Sequence, residues 1–153
     1  MTRFLRLVVA VAMLGALVVG NVASTIASGP KVLDAQMVGI PTAGLVLDGL
    51  TGGGVPWILD SGRAKLFADG RLDVEVEGLV LATNHTNPVA NGLAVVACGN
   101  VAVAQSEIVP FSPTGDAEVE TTVSLPSPCL APAVFFVGVT ASGAQRWFAV
   151  TGF

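Results

Sequence analysis

The sequence predicts an all-β protein, namely an antiparallel β-sandwich of the immunoglobulin-like kind with seven to eight strands and one disulfide. Three observations predict it. Apolar and polar residues alternate over short runs, as in strands with one buried face. Turn signals rich in glycine, asparagine or proline separate these runs about every ten residues, the spacing of sandwich strands. Finally, the chain holds a single pair of cysteines, which suits a disulfide in an exported protein.

The clearest pair of strands surrounds Asp69-Gly70. An Asp-Gly step between two alternating runs is a strong local signal of a β-hairpin. The run that follows it, LDVEVE at 72–77, places its leucine and valines on one face and its carboxylates on the other. We expect the first face to be core and the second to meet solvent.

Weaker and stronger strand signals flank this hairpin in the chain. Residues 28–55 mix glycine, proline and short apolar runs and are predicted to be a linker that contributes one strand near 35–40. Gly99-Asn100 lies between two apolar runs and predicts a second hairpin, because both residues tolerate positive φ. DAEVETTVSL at 116–125 alternates again, and a turn at 141–143 predicts the last hairpin.

The first residues have the order of a secretory signal peptide, with two arginines, an apolar run and then small residues. Cleavage is expected near Ala27. The alternative is a retained membrane anchor, but the apolar run is shorter than the ~20 residues that span a bilayer. The predicted organisation is therefore a signal peptide at 1–27, the linker at 28–55 and a β-sandwich domain at 56–153, secreted and without a later membrane span.

Removal of the signal peptide makes the protein more acidic. Five of the seven basic residues remain against eleven acidic ones, so the formal charge falls from −4 to −6. A nucleic-acid partner requires a basic patch, which so few lysines and arginines do not provide. We expect no nucleic acid among the partners.

Cys98 ends an apolar run beside a tight turn, and Cys129 lies among prolines in LPSPCLAP. An even pair in an exported chain is most simply a disulfide. The prolines cannot donate to a central ladder, so they predict a connection outside the sheet. A redox centre would favour a Cys-x-x-Cys motif, but these two cysteines are far apart in sequence. A zinc site needs about four ligands, and the chain has two cysteines and one histidine. Neither a metal nor another cofactor is therefore expected.

Three kinds of residue are candidates for chemistry. His85 is the single histidine, and the sequence has no Gly-x-Ser-x-Gly turn to position a nucleophilic serine beside it. No catalytic residue is therefore assigned, and no enzyme is expected. Asp73, Glu75 and Glu77 stand ~6.6–7 Å apart along one strand face, a spacing that overlaps that of an inverting glycosidase pair. A solvated face is favoured, with cation binding and hydrolysis as alternatives. Asn84-His85-Thr86 matches a glycosylation acceptor, which matters only in a eukaryotic host.

Trp57 and Trp147 are the only tryptophans. Their apolar surroundings, PWIL and RWFAV, predict core positions, as in other sandwiches. The alternative is a ligand-binding face on which exposed rings lie against sugars, with Arg146 at its rim.

Several strand and turn patterns between Pro56 and Phe153 carry a resemblance: VPWILDSGRAKLFADGRLDVEVEGLVL, the strand that reaches VACG, SPTGDAEVETTVSLPSPCLAP and the closing WFAVTGF. In these the chain resembles a group of small secreted bacterial proteins of unassigned function. The resemblance implies a single secreted domain with Cys98 paired to Cys129, and it carries over no active-site residue.

These observations favour a secreted, non-catalytic binding or surface-associated structural domain whose partner is an extracellular protein or polysaccharide. A carbohydrate- or cell-wall-binding module is the first alternative, and a small secreted hydrolase is the second.

Overall fold

The computed structural model describes residues 29–152, and the regular structure of this part is entirely β-strand. The predicted signal peptide at 1–27 lies outside the described residues. Eight of the strands in this part have five or more residues, in agreement with the predicted seven to eight. The strands are β1 (Lys31–Gly39), β2 (Val46–Leu47), β3 (Leu50–Thr51), β4 (Trp57–Ile58), β5 (Ser61–Phe67), β6 (Arg71–Glu77), β7 (Val80–Leu81), β8 (Asn91–Cys98), β9 (Val101–Gln105), β10 (Val109–Pro110), β11 (Ala117–Thr122), β12 (Ala133–Val139) and β13 (Gln145–Thr151).

One sheet curls over to form two antiparallel layers, in the order β10-β8-β12-β13-β1-β5-β6-β11, with β9 also paired to β8. Strand β1 belongs to both layers, because residues 31–36 pair with β5 and residues 37–39 pair with β13. We call the first part of β1 with β5, β6 and β11 layer A. The end of β1 with β13, β12, β8, β9 and β10 is layer B. The predicted antiparallel β-sandwich is therefore confirmed.

The hydrophobic core lies between the layers. On the inner face of layer A, Leu66, Leu72, Val74, Val76 and Val119 are buried, and the residues that alternate with them are exposed or half-buried except Phe67, whose ring lies under Arg71. Full burial of a leucine or valine side chain stabilises a fold by about 1.5–3 kcal/mol. The alternation of the sequence thus predicts correctly which face of layer A is core.

Layer B is buried on both faces along its central strands. Consecutive residues are buried at 92–98 of β8, 134–138 of β12 and 147–151 of β13. On the outer face the segment from Leu45 to Gly52 covers Trp147, whose indole Nε1 donates hydrogen bonds to the carbonyl oxygens of Leu45 and Leu50, both at 3.2 Å. This two-sided burial explains why these strands are continuous apolar runs in the sequence.

The three predicted hairpins are present, and each turn contains a glycine with positive φ. At the β5–β6 turn Gly70 has a φ of 89° and donates a hydrogen bond to Phe67, and its carbonyl accepts one from Val123. A Cβ on Gly70 would collide with the carbonyl oxygen of Val123. At the β8–β9 turn Gly99 and Asn100 both have positive φ, 61° and 66°, as a type I′ turn requires.

Cys98 and Cys129 form the predicted disulfide, with Cα atoms 5.1 Å apart and a sequence separation of 31. Cys98 ends β8, and Cys129 lies in the irregular connection between β11 and β12. The backbone N–H of Gly99 donates to the carbonyl of Leu130 at 2.7 Å. The disulfide and this hydrogen bond together hold the proline-rich connection against the β8–β9 turn.

The strand predicted near 35–40 is longer than the sequence indicates and lies in the middle of the sheet. It runs from Lys31 to Gly39 and connects the two layers. Its period is hard to recognise in the sequence, because Val32 and Val38 are exposed on the face opposite Met37. The next residue, Ile40, is fully buried, so this segment contributes to the core. Residues 29–152 contain no helix of the length and apolar character needed to cross a membrane.

Candidate functional site

The outer face of layer A holds most of the charged side chains of the described strands. Strand alternation points these side chains away from the core. Antiparallel register aligns them in two rows that cross β1, β5, β6 and β11 in that order, which are Asp34–Lys65–Asp73–Glu120 and Gln36–Arg63–Glu75–Glu118. We call these eight residues the charged face.

On the β1–β5 half of the charged face, opposite charges form ion pairs. The guanidinium of Arg63 binds the Asp34 carboxylate, with Nη2 to Oδ1 at 2.6 Å, and Lys31 Nζ lies 2.5 Å from Asp34 Oδ2. The hydrogen bonds from Arg63 and then Lys31 hold the pKa of Asp34 well below its usual value, and the same contact raises the pKa of Arg63. The guanidinium is therefore engaged with β1, although Glu75 is the residue directly opposite it on β6.

The other half of the charged face brings carboxylates together. Glu75 lies directly opposite Glu118, and Asp73 lies directly opposite Glu120. Directly opposed residues of antiparallel strands have Cβ atoms about 4.5–5.5 Å apart, and like charges at that separation destabilise the sheet. Within the described residues, neither Glu75, Glu118 nor Glu120 makes an ion pair within 4.0 Å.

Among residues 29–152, no basic side chain makes an ion pair with Glu75, Glu118 or Glu120. Lys65 makes no ion pair within 4.0 Å among residues 29–152, and Arg71 Nε is 4.0 Å from Asp73 Oδ2. A groove on this face crosses β5, β6 and β11 and is lined by the four carboxylates together with Arg63 and Lys65. The groove can accept positive charge from solvent without displacing an existing partner of Glu75 or Glu118.

Glu77, the last of the predicted carboxylate stripe, has a different environment. Its Oε2 accepts a hydrogen bond from Ser61 Oγ at 2.9 Å, beyond the end of the two rows. Asp73, Glu75 and Glu77 share one strand face, as predicted. Within residues 29–152, however, no three or more His, Cys, Asp or Glu side chains are grouped so that they could hold a metal ion. The stripe contributes to an extended surface, and it does not converge on one cation.

A second acidic group fixes a loop. Asp116 accepts hydrogen bonds from Thr114 Oγ1 at 2.6 Å, Gly78 N at 3.0 Å and Ser112 Oγ at 3.1 Å. The Thr114 hydroxyl is the main cause of a lowered pKa at Asp116, followed by the N–H of Gly78. Through these hydrogen bonds, Asp116 ties the start of β11 to the end of β6.

Both tryptophans are core residues, as their apolar surroundings predict. Trp57 is 4% exposed and stacks on Phe148 with ring centroids 3.8 Å apart and an interplanar angle of 11°. Trp147 is 1% exposed and packs edge-on against Phe135. A ligand-binding role needs an exposed ring, which neither position offers. Arg146 is exposed, and its Nη1 donates to the carbonyl of Gln145 at 2.8 Å, without an exposed indole beside it.

His85 lies in an exposed loop in the left-handed region, with a φ of 55°. Its backbone N–H donates to the carbonyl of Leu81, and its ring makes no hydrogen bond to any residue of 29–152. Next to it, Asn84 Oδ1 accepts hydrogen bonds from the N–H and the hydroxyl of Thr86, at 3.2 and 2.9 Å. The structure thus places the single histidine in a turn away from the charged face.

The basic members of the charged face and its second acidic strand could not be recognised as parts of one surface from the sequence. Arg63 and Lys65 alternate with apolar residues in RAKLF, and Glu118 and Glu120 alternate in AEVETT. That alternation indicates that each set faces solvent. It does not indicate that β11 pairs with β6 and brings the two acidic strands together.

In the comparisons with known proteins, no family model, curated protein or solved structure matches this chain.

Proposed function

We propose that the protein is a secreted, non-catalytic binding domain whose charged face binds a positively charged segment of an extracellular protein. One observation carries this proposal. Two pairs of carboxylates, Asp73 with Glu120 and Glu75 with Glu118, lie directly opposite each other on the exposed surface of one sheet.

The energetics favour a partner that neutralises these pairs. A cross-strand pair of charges changes the stability of a sheet by about 0.2–1 kcal/mol, and a pair of like charges lowers it. The free sheet is therefore less stable than it would be with neutral residues at these positions. Functional surfaces often retain such a cost, and complementary charge on a partner removes the repulsion while it steers association.

The spacing of the rows favours an extended peptide. The two carboxylate pairs are two residues apart along β6 and β11, which corresponds to ~6.6–7 Å. Alternate residues of an extended chain have the same spacing. A segment with lysine or arginine at alternate positions could therefore place one cation at each pair.

An immunoglobulin-like topology is supported by the strand connections. Strands β6 and β11 are neighbours in layer A, and β9, β8, β12 and β13 are consecutive in layer B. The chain passes from layer A to layer B between β6 and β8, returns between β9 and β11, and crosses again between β11 and β12. This order matches the Greek-key connections of immunoglobulin-like sandwiches.

Secretion is supported by the disulfide, because such bonds persist mainly in oxidising compartments. The signal-like order of the first 27 residues and the resemblance to small secreted bacterial proteins agree with this proposal.

The test compares peptide binding by two variants with the same net charge. Glu75→Gln/Glu118→Gln removes one opposed pair, and Asp48→Asn/Glu107→Gln removes two carboxylates elsewhere. Fluorescence anisotropy at low salt would follow a labelled peptide with lysines at alternate positions, and its glutamine counterpart serves as a control. We expect the first variant to bind at least about tenfold more weakly and the second to bind like the wild type. Equal losses in both variants would show a general charge effect and contradict the proposal.

A further inference from the structure

Three steps of the chain combine an acidic or amide side chain with a following glycine, namely Asp48-Gly49, Asp69-Gly70 and Asn91-Gly92. In such a step the glycine nitrogen can attack the side-chain carbonyl carbon and close a five-membered succinimide ring. Glycine permits the attack because it has no Cβ to obstruct it and can turn through angles that other residues avoid. The three steps share this local chemistry, so their surroundings in the fold decide which of them reacts.

The Asp48-Gly49 step is open to this reaction. It forms the two-residue turn between β2 and β3, with φ of 52° at Asp48 and 79° at Gly49, as in a type I′ turn. Within residues 29–152, neither the Gly49 N–H nor the Asp48 carboxylate takes part in a hydrogen bond or ion pair. A Cβ on Gly49 would meet no atom within 4 Å, so the peptide between the two residues has room to turn.

The Asp69-Gly70 step has the same two residue types but is held in place. The Asp69 carboxylate accepts hydrogen bonds from the N–H of Gly29 at 2.9 Å and of Arg71 at 3.1 Å. These bonds lower the pKa of Asp69, and an ionised carboxylate is a poor target for a nucleophile. The N–H of Gly70 is hydrogen-bonded within its own turn, and a Cβ on Gly70 would collide with the carbonyl oxygen of Val123. Neither partner of the ring closure is therefore free to move.

The Asn91-Gly92 step lies inside the sheet. Asn91 begins β8 and is paired with Val139 of β12 on one side and Pro110 of β10 on the other. A Cβ on Gly92 would collide with the ring of Phe136. An asparagine amide closes the succinimide ring more readily than a carboxyl group does, so this step is a stringent comparison for the effect of packing.

We propose that Asp48 is a modification site at which the chain rearranges spontaneously to isoaspartate, and that this change loosens the β2–β3 hairpin over Trp147. The Gly49 nitrogen loses its proton and bonds to Cγ of Asp48, while a Cγ–O bond breaks and one water molecule leaves. Water then opens the ring. Cleavage between nitrogen and Cγ restores aspartate, whereas cleavage between nitrogen and the main-chain carbonyl carbon leaves isoaspartate. One water leaves and one enters, so no oxidant or cofactor is needed.

Isoaspartate changes the hairpin because the main chain then passes through Cβ and Cγ of Asp48 and is one atom longer. A two-residue turn fixes the register of its two strands, and the extra atom displaces them. Leu50 follows the turn directly, and its carbonyl accepts a hydrogen bond from the indole Nε1 of Trp147. Trp147 is 1% exposed in the unmodified protein. We expect the modification to weaken this hydrogen bond and to open the outer face of layer B at Trp147.

Incubation of the purified protein at neutral pH in water labelled with oxygen-18 tests the proposal. Each ring opening places one heavy oxygen at the residue that reacted, and mass spectrometry of peptides locates it. The label at Asp48 should accumulate at least about tenfold faster than at Asp69 or Asn91. In guanidinium all three residues should be labelled, which shows that each step can react once the fold is removed. Asp48→Gly is the matched control, because Gly-Gly also suits a type I′ turn but has no carboxyl group.

Hydrogen exchange of the two indole N–H groups, followed by NMR, tests the effect on the hairpin. In the isoaspartate fraction the indole of Trp147 should exchange at least about threefold faster, as for the loss of one hydrogen bond. The indole of Trp57 should not change, nor should either indole in incubated Asp48→Gly.

Equal labelling of Asp48 and Asp69 in the folded protein would overturn the proposal. So would an unlabelled Asp48 after a period in which the unfolded chain is labelled. Unchanged exchange at Trp147 in the isoaspartate fraction would overturn the loosening of the hairpin.

Discussion

Removal of the disulfide should cost a large share of the stability of this domain. Cys98→Ala/Cys129→Ala opens a loop whose ends are 31 residues apart. The chain-entropy relation for a loop of that length gives a loss of about 3.7 kcal/mol at 25 °C. With the average unfolding entropy per residue of globular proteins, residues 29–152 have a total unfolding entropy of about 0.26 kcal/mol/K. The melting temperature should therefore fall by about 14 °C. Alanine fits both positions, because neither thiol fills a large part of the core.

Urea unfolding followed by tryptophan fluorescence measures this loss, since Trp57 and Trp147 are both buried and report on the core. Reductant should lower the stability of the wild type to that of the variant and should not affect the variant. A loss below about 1 kcal/mol would refute the reasoning, because it would mean that the unfolded chain gains little freedom when the loop opens. A further loss on adding reductant to the variant would refute it as well.

Three further predictions concern a turn, an ion pair and the charged face. Gly70→Ala should destabilise the protein by more than about 3 kcal/mol, because a left-handed φ is combined with a collision against a backbone carbonyl. Gly99 has open space around it, so Gly99→Ala should lower the free energy of urea unfolding by only about 1–2 kcal/mol. The pKa of Asp34 is lower in the folded state than its ordinary value. Its ionised carboxylate therefore stabilises the fold above the ordinary carboxyl pKa of about 3.9, and this contribution is lost as the pH falls through the folded-state value. Asp34→Asn should flatten the decline of melting temperature below about pH 4. Glu118→Gln should stabilise the fold by about 0.2–1 kcal/mol at low salt, because it relieves repulsion by Glu75, and salt should reduce the gain.

Each of these predictions has a clear contrary result. Similar losses for the two glycine variants would mean that the collision at Gly70 is relieved by backbone movement. An unchanged acid limb in Asp34→Asn would mean that its ion pairs with Arg63 and Lys31 do not persist in solution. A loss of stability in Glu118→Gln, independent of salt, would mean that Glu118 has a favourable contact that outweighs its repulsion by Glu75.

Local features of the chain could be predicted from the sequence because they depend on neighbours in sequence. The alternation at 72–77 identifies the core face of β6, since successive strand residues point to opposite sides. The Asp69-Gly70 and Gly99-Asn100 turns are recognisable because few residues tolerate their backbone angles. The pairing of Cys98 with Cys129 follows from there being only two cysteines.

Long-range pairing could not be predicted in this way. The sequence gives the exposed face of β6 and that of β11 separately, but only the tertiary structure places Glu75 opposite Glu118. The same holds for β1, which the sequence indicates only as one strand within a linker and which the structure places between β5 and β13.

The sequence by itself determined the strand class, the turns, the disulfide and the polar face of each strand, since these follow from side-chain period and backbone preference within a few residues. Only the tertiary structure decided which strands are neighbours, and therefore that the carboxylates gather in layer A and that β9 is left as an uncharged edge. The physical reason is that strand neighbours are selected by burial of the whole core, to which residues far apart in sequence contribute together.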